Sequence, residues 1–209
     1  MKSEKKAINR LTDVRSKVSC HYFIKRNGNI ILMVPEKFIA WHAGISNWKS
    51  TKSLNKNSIG IEIQNNGHKH GYQGYTKKQI FSIIKITKYL KKKYKIKSSN
   101  LLGHSDISIN RKMDPGEKFP WRSLSKKKLC KWHRISSLKL KKLRKLRVSN
   151  NEELQFFNSI KKIGYSFKFN NSKEKFLATK IFQMRFRQEL INGKVDQETL
   201  IIAKNISKN

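Results

Sequence analysis

Three short apolar runs with the period of a β-strand, followed by one long run with the period of a helix, constrain this chain more than any other feature. Residues 18–24 alternate, with Val18, Cys20, Tyr22 and Ile24 on one face and Ser19, His21 and Phe23 on the other. A second run covers Ile30 to Val34, and Asn27-Gly28 lies between the two. Such a pair predicts a β-hairpin, because a tight primed turn needs positive φ at both central residues. Ser58 to Gln64 predicts a third strand, with Ile59, Ile61 and Ile63 on one face and Gly60, Glu62 and Gln64 on the other. Thr76 and Gln79 form a capping box that opens a helix running to about Lys95. Its inward stripe is Ile80, Ile83, Ile84, Ile86 and Leu90. Leu101-Leu102 predicts a short strand leading into Gly103-His104. The alternation predicts an α/β fold, a mixed central sheet flanked by helices.

Downstream the pattern changes. Arg122 to Ser149 holds twelve basic residues and no acidic ones. It reads as a basic linker over 135–150, partly helical through Leu138, Leu140, Leu143 and Leu146. Such a charge run is either a solvated helix or a grip on an anionic partner. From Glu152 onward a small three-helix unit is expected. Its marks are Leu154, Phe157 and Ile160, then Phe176, Ile181, Phe182 and Phe186, then a helix capped by Asp196. The predicted organisation is therefore 1–134, 135–150 and 151–209.

Forty-eight Lys and Arg against 13 Asp and Glu give a net charge of +35, a field that favours polyanions. Charge is all that speaks for nucleic acid, since no RRM, KH, zinc-finger or helix-turn-helix pattern accompanies it. The Lys-, Asn- and Ile-rich composition is also what an AT-biased genome produces. No apolar run approaches the roughly 20 residues of a membrane span. Met1 to Arg10 has no apolar leader core, so no signal peptide is expected in the chain as given, and the compartment stays open. Cys20 and Cys130 lie far apart without metal-ligand spacing and read as buried thiols.

One constellation carries chemistry. His104 follows a glycine, Asp114 lies ten residues on, and Lys112 sits two residues before the carboxylate on the same side of an extended segment. Imidazole and carboxylate are zinc donors, and a lysine beside them can hold charge on an oxyanion. Asp114 in Asp-Pro-Gly also suits a turn. Glu62 faces away from an isoleucine layer, where it can serve as a general base or simply face solvent.

The stretches Val18 to Ile24, Ala40-Trp41-His42-Ala43-Gly44, Asn57 to Glu62 and Gly103 to Gly116 together resemble the AmpD/AmiD-like N-acetylmuramoyl-L-alanine amidases, over about residues 7–132. The resemblance implies a zinc amidase that cleaves the amide between N-acetylmuramic acid and L-alanine in peptidoglycan or its fragments. By motif, His104 and Asp114 match metal ligands, Glu62 the catalytic acid/base and Lys112 the residue that stabilises the tetrahedral intermediate. His42 matches a histidine near the substrate cleft, and His21 one that is not a ligand. Ile181 to Phe186 with Asn192 to Thr199 resembles the small peptidoglycan-binding domain that follows such amidases.

The family's first zinc ligand is a histidine on a strand ahead of the helix matched here by Ala7 to Leu11. Only Met1 to Lys6 precede that helix, so the strand and its ligand are expected to be missing. A late start codon, a decayed gene, and a catalytically inactive peptidoglycan-binding protein are the three explanations.

Overall fold

The computed structural model describes residues 3–208. Met1 and Lys2, part of the segment ahead of the first helix, lie outside the described residues. Helix α1 is Glu4–Thr12. Strands β1 (Tyr22–Ile24) and β2 (Ile30–Leu32) pair antiparallel, with Tyr22 opposite Leu32. Strands β3 (Asn47–Trp48) and β4 (Thr51–Lys52) make a separate small hairpin. Strand β5 (Ile61–Ile63) pairs parallel with β1, giving a mixed sheet of order β2-β1-β5. The α/β expectation holds.

The first hairpin is confirmed with a different turn. Of the Asn27-Gly28 pair only Gly28 has positive φ, at 90°. Gly28 N–H donates to Lys25 O and Lys25 N–H to Asn29 O. This is the longer connection in which a turn is followed by one left-handed glycine. The predicted faces also shift. All three β1 residues are buried, because the sheet is covered on both sides. Tyr22 and Ile24 join one cluster; Phe23 joins Ala7 and Cys20 in another. The chain bends at His21, so the alternation does not carry back to Cys20.

Helix α2 (Lys77–Tyr94) begins at the capping box: Gln79 N–H donates to Thr76 Oγ1, and Thr76 N–H donates to the Gln79 side chain. Ile83, Ile86 and Leu90 bury its inner face against Tyr22 and Ile24. Burying each such side chain contributes about 1.5–3 kcal/mol. The expected strand at Leu101-Leu102 does not form. Among the described residues no strand pairs with that segment, and an unpaired extended segment forms no ladder. His104 instead opens the short helix α3 (His104–Ile107).

The basic stretch is folded. Helix α4 (Trp121–Lys126) buries Trp121 and Leu124, and α5 (Ser137–Leu143) buries Leu140. Helices α6 (Asn150–Ile163), α7 (Ser172–Phe186) and α8 (Gln197–Lys208) complete the chain, with Asp196 Oδ1 accepting from Thr199 N–H at the start of α8. Leu154 and Phe176, expected inside, are exposed. A helical period of 3.6 puts Phe156, Phe157, Ile160 and Ile163 on the inner face of α6, whereas steps of three drift off it. One apolar core joins Ala43, Trp48, Leu54 and Ile109 to α6, α7 and α8.

Candidate active site

The site is assembled around Gly103. A β-carbon there would sit 2.6 Å from the Pro115 ring, so only glycine lets the start of α3 lie against the Asp114-Pro115 segment. Ser105 N–H then donates to Asp114 O at 2.8 Å, tying α3 to that segment. The result brings His104 Nδ1 to 3.1 Å from Asp114 Oδ2, as the sequence spacing suggested.

The other ring nitrogen of His104 lies 3.0 Å from Ala43 O. If Nε2–H donates to that carbonyl, Nδ1 presents a lone pair to the carboxylate; Arg111 Nη2 lies 3.3 Å from the same Nε2. Ligating histidines are commonly fixed by such a backbone partner. In a tetrahedral zinc site, two donors at normal bond lengths lie about 3.3 Å apart. The pair therefore fits one edge of a zinc tetrahedron in both donor chemistry and spacing. Among the described residues no group of three His, Cys, Asp or Glu could hold a metal ion. The described residues thus supply two donors where a catalytic zinc takes three protein ligands.

Asp114 is exposed; crowding by protein acts to raise its carboxyl, but the contact with His104 and the charge of Lys112 hold it below the usual range. Glu62, on β5, faces away from the layer formed by Ile59, Ile61 and Ile63. Crowding by protein raises its carboxyl to about 7; the charge of Asp114 adds to the rise, while His104 and Lys112 oppose it. The residue remains exposed to solvent, so water screens part of that effect.

A cleft of about 300 Å³ runs past His104, lined by Lys17, Trp41, His42, Asn55, Arg111 and Lys112 among others. His42 is in the cleft, and its Nδ1 donates to Ala40 O at 2.9 Å. Burial and the neighbouring His21 lower it to about 4, so it is neutral at pH 7. His21 is buried with both ring nitrogens used: Nδ1 accepts from Gly60 N–H and Nε2 lies 3.1 Å from Phe38 O. It bridges β1 to the start of β5.

Several residues here were not singled out from the sequence. Arg111 donates to Ala43 O at 2.7 Å and Ile45 O at 3.0 Å, holding the loop that receives His104. Its adjacency to Lys112 was the available signal. Tyr72 and Tyr75 both donate to Pro115 O, at 2.6 and 2.9 Å, and fix the segment behind Asp114. Their glycine-rich loop gave no periodic cue.

Comparisons with known proteins give the chain a family. A family model described as N-acetylmuramoyl-L-alanine amidase, Amidase_2, matches residues 1–117. The chain is 33% identical to the N-acetylmuramoyl-L-alanine amidase AmiD of Escherichia coli, over 93% of this chain and 74% of that protein. It is 41% identical to the 1,6-anhydro-N-acetylmuramyl-L-alanine amidase AmpD of Haemophilus influenzae, over 50% of this chain and 55% of that one. The solved complex of Escherichia coli AmiD with anhydro-N-acetylmuramic acid-L-Ala-D-γ-Glu-L-Lys superposes with a TM-score of 0.87 at 31% identity. That superposition covers 98% of this chain and 84% of the other. With a family model over more than half its length and a relative matched along nearly all of it, the chain belongs to the N-acetylmuramoyl-L-alanine amidases of the Amidase_2 family.

Proposed function

We propose that the protein hydrolyses the amide between N-acetylmuramic acid and L-alanine in peptidoglycan or its fragments, with zinc held by His104 and Asp114. The observation that supports this reading is that His104 and Lys112 line one cleft, that His104 Nδ1 lies 3.1 Å from Asp114 Oδ2, and that Glu62 is near enough to feel the charges of Asp114, His104 and Lys112. Zinc, when bound, supplies Lewis acidity toward the carbonyl and acidifies water. Glu62 takes a proton from the attacking water and delivers it to the departing L-alanine nitrogen; a pKa near neutrality suits both transfers. Lys112, lining the cleft, offsets the charge that develops on the carbonyl oxygen. Replacing Glu62 by Gln keeps the shape and removes the proton carrier. Release of stem peptide from a muropeptide, followed by chromatography and mass spectrometry, should then fall by roughly two to four orders of magnitude. Unchanged release refutes the assignment.

A second reading is favoured by the two-donor set: a wall-binding protein without catalysis. Under it the purified chain carries no stoichiometric zinc and releases no peptide, so metal analysis beside the peptide assay separates the two. In either case we assign residues 1–134 to the amidase unit, 135–150 to a basic connection and 151–209 to holding peptidoglycan. The division is one of role, since the apolar core is shared. Cosedimentation with purified wall tests it.

A further inference from the structure

Asp106 lies two residues beyond His104 in the first turn of α3 and is 1% exposed. A buried carboxylate demands partners, and two of the three it has come from the C-terminal helices. Gly103 N–H donates to its Oδ2 at 2.8 Å, closing the turn that carries His104. Tyr165, just past α6, donates its hydroxyl to Oδ1 at 2.7 Å. Arg185, on α7, pairs with Oδ2 and sends its other nitrogen to Leu101 O at 2.8 Å. Its guanidinium stacks 4.1 Å over the Trp121 ring. Arg185 therefore grips both ends of the 101–106 segment, which failed to become a strand and has no ladder to hold it.

We propose that Tyr165 and Arg185 are positioning residues for the amidase site, acting through Asp106 to fix His104 against Asp114. On the other side His104 is held by Ala43 O, and Ser105 N–H holds Asp114 O. Only Asp106 connects this turn to the C-terminal helices by side-chain charge among the described residues. The helices that follow the amidase unit are thus part of what aligns its site, whatever else they bind. The role rests on the amidase reading for its catalytic consequence, and on geometry alone for its structural one.

The test uses Tyr165→Phe, which removes one hydrogen bond and keeps the ring, and Arg185→Met with Asp106→Asn, which removes the charge pair as a pair. Phe157→Leu is the control: it loosens the same helical core where Phe157 meets Phe167 and Lys175, away from α3. Amide hydrogen exchange is followed by mass spectrometry on peptides spanning 101–108, 22–32 and 77–94. Positioning predicts faster exchange confined to 101–108 in both Asp106-network variants and not in the control. Where the wild type releases peptide, kcat should fall about tenfold or more with KM within twofold, the scale at which small misplacements act. Exchange in 101–108 that matches the control overturns the proposal, as does kcat that falls only in step with thermal stability. A wild type that releases no peptide defeats the amidase reading, and the exchange result still decides the positioning role. If the double variant fails to fold, Tyr165→Phe carries the test alone.

Discussion

Arg187, just past α7, is among the most deeply buried charges of the described residues, and its removal gives a stability change that can be worked from the structure. Its side chain is 1% exposed and pairs with Asp196, while Glu198 lies 3.4 Å away and is itself 1% exposed. Replacing Arg187 by Met leaves two carboxylates behind. Breaking a buried pair from one side costs about 3–5 kcal/mol. Here the remaining partners favour the lower figure. Asp196 keeps Thr199 N–H at 2.9 Å and Lys145 N–H at 3.2 Å, and Glu198 keeps both Arg144 nitrogens at 2.7 and 2.8 Å. At about 3 kcal/mol, and about 2–4 °C per kcal/mol for a chain of this size, the melting temperature should drop by about 6–12 °C. Thermal unfolding by circular dichroism or calorimetry reads this directly. Adding Asp196→Asn removes the orphaned charge and still lets the side chain accept from Thr199, so the double variant should recover at least half the loss. A single variant within about 1 kcal/mol of wild type, or a double variant that loses the sum of the two, refutes the pairing argument.

Three further outcomes are expected. Glu62 holds its proton more tightly folded than unfolded, its carboxyl rising from 4.5 to about 7. The stabilisation this brings is full below the unfolded value and is lost as pH rises through 7. In metal-free protein, Glu62→Gln should therefore match wild type near pH 4 and become the more stable of the two above pH 7; parallel melting curves across that window contradict the raised value. In Gly60→Ala the new β-carbon would stand 2.3 Å from His42 Cγ, displacing a cleft residue. A loss of about 1–3 kcal/mol with a raised KM is expected, and a wild-type melting temperature rules out the contact. Leu140→Ala should cost about 2–3 kcal/mol by opening a cavity where α5 meets α8, whereas a solvated α5 would lose almost nothing in denaturant titration.

Local patterns were readable where the physics is local. The Thr76–Gln79 box, the isoleucine face of β5 and the helix start at Asp196 need only neighbours in sequence, and each is where the pattern placed it. The misreadings share a different cause. Leu101-Leu102 has strand residues but no adjacent strand to pair with, and pairing is not written in the segment itself. Cys20 changed face because of a bend at His21, whose ring is spent on Gly60 N–H and Phe38 O from distant parts of the chain. Glu62, His104, Lys112 and Asp114 were singled out because the stretches that carry them resemble a family, and of these the structure brings His104 Nδ1 to 3.1 Å from Asp114 Oδ2. Asp106, Tyr165 and Arg185 were not, since 59 and 79 residues separate the partners and nothing local marks an Arg on the inner face of an apolar helix.

The scarcity of acid in this chain sharpens the case for Glu62. Only 13 acidic residues stand against 48 basic ones, so almost any carboxylate on the surface can find a cation. Nearly all do. Glu4, Asp13, Glu117 and Glu153 sit in surface pairs, Glu36 is largely buried against Lys93, and Glu152 and Glu174 accept backbone N–H groups at or near helix starts. Asp106, Asp196 and Glu198 are locked to buried arginines, Glu189 reaches Arg144, and Asp114 meets His104. Glu62 alone makes no ion pair or carboxylate hydrogen bond among the described residues, although Lys112 is near enough to influence it. A carboxylate tied to a cation is held ionised and gives up that stabilisation each time it takes a proton. One with no such pair among the described residues, crowded by protein and within reach of the charge of Asp114, can gain and lose a proton at little cost near neutral pH. In a field this positive, leaving one carboxylate without a pair contributes nothing to the fold that a pair would not contribute better, and it is the condition that the proton transfer proposed for Glu62 requires.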